Sequence, residues 1–551
     1  MLLHATRLAF AGFVTLALSL AGAVAAEATK PAESEADATA VEPPTVSRET
    51  TYFLGPLDED GFVDYVAALN RAAPDHGIAN EDNAYVGLLE QIDTSDWNAE
   101  YRTKHYAALG LPLPEQPPES TFDFDGYAER HGLAEDEDTA QDERPIEDRY
   151  RGPPVILSEV QAQRELALEG PWQTTDAPHV AAWLDELEDQ LAGISNAVRR
   201  EGYYCPLVKT QPCDTLLDIV LPHLGKSRSI ARALQARAFH RLGQDEINRA
   251  IEDIASMERL GRLITRERFL ISHLVAISIE SLAQQSVKVV LRRPDVTADQ
   301  IARLRSLRQQ LPERDPLVNK VDMERAISLE TLTRIARNAS AEALDPVNGI
   351  NLDAMARVGM EPQEWFHLER GLRRVNDTFD RLTDMPERYA EIEPWSESIE
   401  ASLTEAQVNA SGLVALAHLH KQADPGELKE QLRNTVTDAV TNVILSTLTP
   451  AMAGAVKTDR HLKAFFELVD LGLALRAYNF DHGRYPDALD ALVPDYVEAV
   501  PADFATGEPM HYQRKGDGFL LYSVGRDGED DGGRHDMQDG DIVVQVPGGG
   551  G

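Results

Sequence analysis

The sequence feature that most constrains the fold is one long apolar segment, FLISHLVAISIESLAQQSVKVVL, at residues 269–291. Its few polar residues leave no continuous hydrophilic face, and a helix that is apolar nearly all round has to be buried among other elements. Pro294 follows the segment and cannot continue a helix. We therefore predict a helix from Arg266 to Leu291 that forms the buried spine of a largely helical protein.

Apolar residues recur at steps of three and four on both sides of this spine, which is typical of amphipathic helices. Two consecutive stripes stop near Gly243 and Gly261 and predict a helical hairpin. The hairpin resembles one tetratricopeptide-type unit, but the expected period of about 34 residues does not recur, so a generic helical hairpin is the preferred interpretation. We assign residues 176–458 to one α-helical domain. Its remaining predicted helices cover 179–200, 298–311, 321–338, 363–382, 399–422 and 427–446.

The N-terminus has the pattern of a secretory signal peptide. Arg7 precedes an apolar run at residues 8–20, and the small residues at 23–25 form an A-x-A-like cleavage site. The sequence therefore predicts a signal peptide at 1–26 and export to the periplasm or the extracellular space. A retained anchor helix is the alternative, but the run is short for a membrane span of about 20 residues. No further membrane span is expected.

Three segments separate this signal from the helical domain. Residues 27–48 are rich in Ala, Glu and Pro and predict a disordered linker. Residues 49–109 contain two short helical patterns and predict a small helical unit with an asparagine cap. Residues 110–175 are first Pro-rich and then acidic, and we expect an irregular surface segment there.

The chain carries a strong negative charge, with 53 Lys and Arg residues against 92 Asp and Glu residues and a formal net charge of −39. Such a surface repels polyanions, which excludes nucleic acid and anionic lipid as favoured partners. The expected partners are an envelope or secreted protein and divalent cations. The oligomeric state does not follow from the composition.

The two cysteines, Cys205 and Cys213, flank a turn-like stretch that contains two prolines. In an exported protein, such closely spaced cysteines favour a local disulfide that fixes the connection between two helices. A redox-active pair is the alternative, but it would need a C-x-x-C spacing or a cationic setting. The sequence predicts a structural Cys205–Cys213 disulfide.

The pattern changes near the C-terminus from helices to strands. An amphipathic helix ends at a turn around Gly483, and strands are expected at 510–514, 519–524 and 542–546. A long helix packed across a small antiparallel sheet buries one face of each. We predict an α+β head at 459–547 and a Gly tail at 548–551. The overall fold class is mainly α with this small C-terminal α+β domain.

The motifs of this head resemble those of a known family. They are ALRAYNFDHGRYPDALDALVP at 474–494, VPAD at 500–503, LYSVGRDG at 521–528 and DIV at 541–543. Together they resemble the globular head of the major pseudopilin of type II secretion systems. That family carries an uncleaved prepilin helix directly before the head, whereas a helical domain precedes it here. The resemblance therefore implies a reused module and argues against fibre assembly.

The same resemblance implies a calcium site in the loop between the last two strands. Asp527 and Asp541 match the ends of the family's loop, whereas one expected ligand is missing and Asp539 or Asp536 would have to replace it. Carboxylates between glycines suit a cation that takes six to eight oxygen ligands. A solvated acidic loop is the alternative. The layout from Thr51 onward also resembles exported proteins of planctomycete-like bacteria that have no assigned function.

The chain contains none of the common fingerprints of hydrolases, metalloproteases or nucleotide-binding enzymes. His273 and Glu280 are seven residues apart on the spine, which places them on one helix face where they could act as an acid/base pair. A satisfied internal polar contact is the commoner use of such residues. The sequence therefore favours a non-catalytic envelope protein with a scaffold or binding role in secretion or assembly. An exported hydrolase with its pocket near His273 and Glu280 is the alternative.

Overall fold

A computed structural model describes most of the chain from residue 41 onward. The described residues are 41–116, 118, 121–133, 159–210, 215–337, 364, 366–384, 391–402, 425–534 and 540–548. They form a mainly helical protein with one small antiparallel sheet near the C-terminus. The predicted fold class is therefore confirmed. The predicted signal peptide at 1–26 and most of the predicted linker lie outside the described residues.

The elements are numbered here in chain order over the described ranges. The helices are α1 (Tyr65–Arg71), α2 (Ala84–Leu89), α3 (Ala99–Ala108), α4 (Phe124–Arg130), α5 (Glu159–Glu169), α6 (Pro178–Glu186), α7 (Glu188–Ala197), α8 (Pro222–Gly243), α9 (Ile247–Ile264), α10 (Leu270–Arg292), α11 (Ala298–Gln309), α12 (Val321–Arg337), α13 (Leu368–Thr383) and α14 (Pro425–His482). Residues 392–402 are also helical. The strands are β1 (His511–Lys515), β2 (Gly518–Ser523) and β3 (Ile542–Val546).

Helix α10 is the predicted spine. It packs against α8 and α9 on one side and against α14 on another, and its apolar side chains are almost all buried. Gly261 lets α9 approach it closely, because a Cβ at this position would lie 2.5 Å from Cγ of Glu280. The expected hairpin of α8 and α9 is confirmed, and the buried carboxylate of Asp253 joins its two helices by accepting hydrogen bonds from Arg237 and Arg241.

Helix α14 is one continuous helix of 58 residues that runs through Pro450. The sequence predicts a helix that ends before Pro450, which is wrong, and a domain boundary at 458/459, a position that lies inside this continuous helix. A proline inside a helix removes one backbone hydrogen bond. Contacts of the N-terminal part with α12 and α13, and of the C-terminal part with α10 and α11, hold the helix together across this position.

The head is built on the end of α14. Its sheet has the order β1-β2-β3 with antiparallel neighbours, in which Leu521 lies opposite both Tyr512 and Val544. The apolar face of this sheet packs on α14 and α10, so the head and the helical body share one hydrophobic core. Gly472 marks the closest approach, since a Cβ there would lie 3.1 Å from both Leu291 and Val544. The main core of the head is therefore continuous with that of the body, and a small separate cluster of Leu520, Tyr522 and Val543 lies on the other face of the sheet.

Two further expectations about the N-terminal half need correction. Residues 41–48, predicted as part of a disordered linker, pack on α13, where Thr45 N–H donates to Glu369 (3.0 Å) and Pro44 is buried. The segment at 110–175, predicted to be irregular, contains α4 and α5. Large apolar side chains explain this order, because Phe122, Phe124 and Trp172 are all buried in the body.

Within the described residues, two helices are long and apolar enough to cross a membrane, Leu270–Arg292 and Lys429–His482. In each of these helices, 67% of the most apolar stretch of 18 residues is buried inside the protein. Core helices of soluble proteins pass the same test. Helix α10 packs against four other helices of the described chain.

The shared core gives a testable prediction for the junction of head and body. Gly472→Val should lower the free energy of unfolding by about 1–3 kcal/mol more than Gly454→Val, because it forces two extra methyl groups between Leu291 and Val544. Gly454 is the matched control: it lies in the same helix, and nothing comes within 4 Å of its added Cβ. Urea unfolding of both variants is the measurement. Equal destabilisation would mean that the head does not rest on the body at Gly472.

Candidate functional site

The predicted pair, His273 and Glu280, lies on one face of α10 and is fully buried. His273 Nε2 is 2.8 Å from Oδ1 of Asp459 on α14. Glu280 accepts from Arg314 (3.0 Å) and forms an ion pair with Arg262 on α9 (3.1 Å). Arg314 also bonds Asp459, so one connected network joins the two predicted residues. The network links α9, α10 and α14, and the side chains of Arg314 and Asp459 in it stay 17% and 22% exposed.

The electrostatics of this network fit a structural role. Burial would raise the pKa of Asp459, but the hydrogen bond from His273 and the charge of Arg314 lower it to about 2. Burial lowers the pKa of His273 below its ordinary value. A neutral histidine and an ionised aspartate with fixed partners are the arrangement of an internal polar contact. An acid/base pair would also need a route for substrate.

The loop of the predicted calcium site is described only in part. Asp536 and Asp539 lie outside the described residues, so their role as ligands stays a prediction. Asp527 is exposed and accepts the backbone N–H of Glu529 (3.0 Å). Asp541 is buried and accepts the backbone N–H of Gly533 (2.7 Å) and that of Asp531.

Asp541 is the residue of this loop that is best placed to meet a cation. Burial raises the pKa of its carboxyl group, and the neighbouring carboxylates of Asp531 and Asp530 raise it further. A divalent cation would relieve this repulsion. Asp541 also fixes the loop by itself, because its carboxylate satisfies two backbone donors. Calcium binding by the predicted ligand set stays a prediction.

A third constellation joins residues that the sequence keeps far apart: Cys205, His223 and Glu267. Cys205 lies in the segment between α7 and α8, His223 follows Pro222 in the first turn of α8, and Glu267 lies in the turn between α9 and α10. One donor atom from each of the three residues lies within 4.8 Å of the other two. The group lies where the ends of three consecutive helices of the body meet.

His223 is the centre of this cluster. Its Nε2 atom is 2.9 Å from Oε1 of Glu267 and 3.9 Å from Sγ of Cys205. A nucleophile–base–carboxylate triad would use one ring nitrogen for each partner. Here the same nitrogen faces both, and Nδ1 of His223 has no hydrogen-bond partner among the described residues. The geometry therefore differs from that of a cysteine hydrolase.

Neighbouring hydroxyl groups hold the cluster in place. Tyr203 and Ser272 donate to the two carboxylate oxygens of Glu267, each at 2.6 Å. The hydroxyl of Tyr85 lies within hydrogen-bonding reach of the Cys205 thiol and 2.8 Å from Nε2 of His105. These contacts leave Glu267 little freedom to turn.

The charge states of the three residues follow from burial and from their mutual contacts. Burial alone would lower the pKa of His223, but the Glu267 carboxylate raises it well above the ordinary value. Burial would raise the pKa of Glu267, and His223 lowers it. Burial raises the pKa of the Cys205 thiol. At neutral pH the cluster is an imidazolium–carboxylate pair beside a neutral thiol, which is a weak nucleophile.

A small cavity adjoins the cluster. It measures about 20 Å³, room for a water molecule, and its lining includes Cys205, Glu267 and Tyr203 together with Arg266 and Arg268. Cys205 is half-buried at its wall. Two of the three cluster residues can therefore be reached from this side.

The predicted Cys205–Cys213 disulfide stays a prediction. The structure has Cys205 as a free cysteine that faces His223 and Tyr85. Cys213 lies outside the described residues, so the pairing of the two cysteines stays a prediction. Sequence reasoning missed the contact of Cys205 with His223 and Glu267, because the three residues share no motif and span 62 positions.

Comparisons of the chain with protein-family models, with curated proteins and with solved structures find no match. The resemblance of the head to a pseudopilin therefore stays a prediction. Functional inference for this chain depends on the geometry of its own residues.

The burial of His273 predicts how its replacement changes stability with pH. Because its pKa is lowered, the unfolded chain binds a proton below pH 6.5 that the folded chain does not, so the wild type loses stability as pH falls through this range. His273→Gln should remove that loss, which amounts to at most about 1.4 kcal/mol per pH unit. The stability gap between the wild type and the variant should thus narrow from pH 7 to pH 5.

Urea unfolding at several pH values is the measurement for this prediction. His482→Gln is the control, since His482 is exposed on the end of α14. A gap that stays constant with pH would show that His273 has the same pKa in the folded and the unfolded protein, and a gap that widens as pH falls would show that the folded protein holds it protonated. Either result would contradict the structural role assigned to it.

Proposed function

We propose that the protein is an exported, non-catalytic protein of the cell envelope, in which a helical body carries the C-terminal head and serves binding or assembly. The observation that carries the proposal is the use of His273 and Glu280, the polar residues of the spine. His273 pairs with Asp459 on α14, and Glu280 pairs with Arg262 on α9 and with Arg314 in the loop after α11, so both residues join elements of the body.

The placement of the head supports the same proposal. Because α14 is continuous and the sheet packs on α10, the head keeps a fixed orientation relative to the body. A fixed display of a small domain suits a protein that presents a binding surface to a partner. The proposed setting is the periplasm or the cell exterior, which rests on the signal-like residues 1–26.

Calcium is proposed as a stabilising cofactor of the head. The proposed ligands are Asp527, Asp541, Asp539 and Asp536, of which Asp541 is the buried member. The cation would supply no reaction; it would neutralise the carboxylates and hold the loop against β2 and β3.

An exported hydrolase with its pocket in the helical body is the second candidate function. His273 and Glu280 do not favour it, because both are fully buried and paired. The cavity beside Cys205 and Glu267 is the observation that keeps it open, since it brings a thiol and a carboxylate to a partly accessible wall.

The calcium proposal predicts a change in thermal stability. At a calcium concentration one hundredfold above the dissociation constant, the head should be stabilised by about 2.7 kcal/mol relative to the chelated protein. Asp541→Asn should abolish the difference between the two melting curves, whereas Asp517→Asn, in the exposed β1–β2 turn, should keep it. Identical curves of the wild type with chelator and with calcium would reject the site.

The export proposal predicts processing of the N-terminus. The chain recovered from the periplasm or the medium should lack residues 1–26 by mass spectrometry, and Leu16→Arg, which interrupts the apolar run, should leave it unprocessed in the cytoplasm. Thr15→Ala is the control and should be exported normally.

In intact cells, chemical crosslinking of the exported chain should give a discrete adduct with an envelope protein. A processed chain that forms no adduct would argue against the binding role.

A further inference from the structure

We propose that Cys205, His223 and Glu267 form a binding site for a zinc-class divalent cation, with Sγ, Nε2 and a carboxylate oxygen as the three protein ligands. The proposal concerns the helical body and is independent of the calcium proposed for the head. It also does not depend on the export or the scaffold role of the protein.

The distances in the cluster are close to those of a tetrahedral site. Zinc bonds of about 2.0–2.3 Å place neighbouring ligand atoms about 3.3–3.6 Å apart. The Sγ to Nε2 distance of 3.9 Å and the Nε2 to Oε1 distance of 2.9 Å bracket this range. All three donor atoms lie within 4.8 Å of one another, so rotation of the Cys205 and His223 side chains towards the fixed Glu267 carboxylate brings them to one centre.

The donor types select the metal. A thiolate and an imidazole are ligands of zinc and related transition metals, whereas calcium and magnesium take oxygen ligands. Three protein ligands leave a fourth position, as in zinc sites that keep a water molecule. Because Cys205 and Glu267 line the adjoining cavity, this position falls on its side and has room for a water.

The surroundings of the ligands match those of built metal sites. Outer hydrogen bonds that orient ligating side chains are a regular part of such sites. Tyr203 and Ser272 hold the Glu267 carboxylate, and the Tyr85 hydroxyl lies by the Cys205 thiol. The ligating carboxylate is thus fixed before any cation arrives.

Binding of the cation is balanced in protons and in charge. The cation displaces the proton of the Cys205 thiol and the Nε2 proton of His223, and both protons leave to solvent. The thiolate and the Glu267 carboxylate then neutralise the two positive charges. No oxidant, reductant or further ligand is required.

Metal binding and the predicted disulfide exclude each other, because a disulfide sulfur of Cys205 offers no thiolate. Replacing Cys213, the other of the two cysteines in the chain, separates the two possibilities. In the Cys213→Ser chain Cys205 has no partner for a disulfide, so the chain reports on the metal site alone.

The experiment uses the full exported chain and two metals. Cys213→Ser protein, freed of metal by chelator and then supplied with Zn²⁺, should retain about one zinc per chain after gel filtration, measured by elemental mass spectrometry. With Co²⁺ it should develop a thiolate-to-cobalt charge-transfer band, which only a sulfur ligand gives. Adding Cys205→Ser should remove the band, and adding His223→Gln or Glu267→Gln should weaken cobalt binding at least tenfold.

His273→Gln in the same background is the matched control, since it replaces another fully buried histidine outside the cluster. It should keep both the band and the bound zinc. If the ligand variants fail to fold by circular dichroism, alkylation of Cys205 in the parent chain decides instead, because bound zinc should slow it at least tenfold.

Three outcomes would overturn the proposal. The first is no retained zinc in the Cys213→Ser chain. The second is a cobalt band that persists after Cys205→Ser, and the third is alkylation of Cys205 that zinc leaves unchanged. A wild-type chain recovered from its compartment with Cys205 and Cys213 disulfide-bonded would overturn it for the native protein.

Discussion

The packing of two long apolar helices, α10 and α14, is the constraint on which the rest of the structure depends. Each is too apolar to face water over its length, and each also carries charged groups that need partners when buried. Asp459 and Asp470 on α14 are eleven residues apart, which returns to the same helix face within about 20°. Asp459 meets His273 and Arg314, and Asp470 meets Arg308 (2.7 Å). These ion pairs fix how α14 lies on the body.

The periodicity of apolar residues predicted most helices correctly, because residues three and four positions apart determine which face of a helix is buried. The spine, the hairpin of α8 and α9 and the strands of the head all follow from such patterns. The break at Pro450 was wrong because a proline signals a local preference, whereas the continuity of α14 depends on contacts with α12, α13 and α10 far away in sequence. The same reasoning explains why α4 and α5 were missed: Phe124 and Trp172 find their burial against distant helices.

The site residues also differ in whether nearby or distant parts of the chain determine their role. His273 and Glu280 could be placed on one helix face from their spacing, but their partners Asp459 and Arg314 come from other parts of the chain, and those partners decide the role of the pair. The cluster of Cys205, His223 and Glu267 was beyond sequence reasoning, since no spacing rule relates its members. In the structure, His223 lies in the first turn of α8 and Glu267 in the turn between α9 and α10, and helix ends of this kind meet along one edge of an antiparallel bundle.

Because α14 is continuous, the number of residues between two of its contacts determines how those contacts are oriented. Adding or removing one residue in a helix turns everything beyond that point by about 100° and shifts it by about 1.5 Å. Between Asp459 and Gly472, such a change would turn one of the two ion-paired aspartates, or the small residue beneath β3, away from its contacts. The loops of this protein can therefore vary in length during evolution. Between Asp459 and Gly472, by contrast, residues can be exchanged but not inserted or deleted.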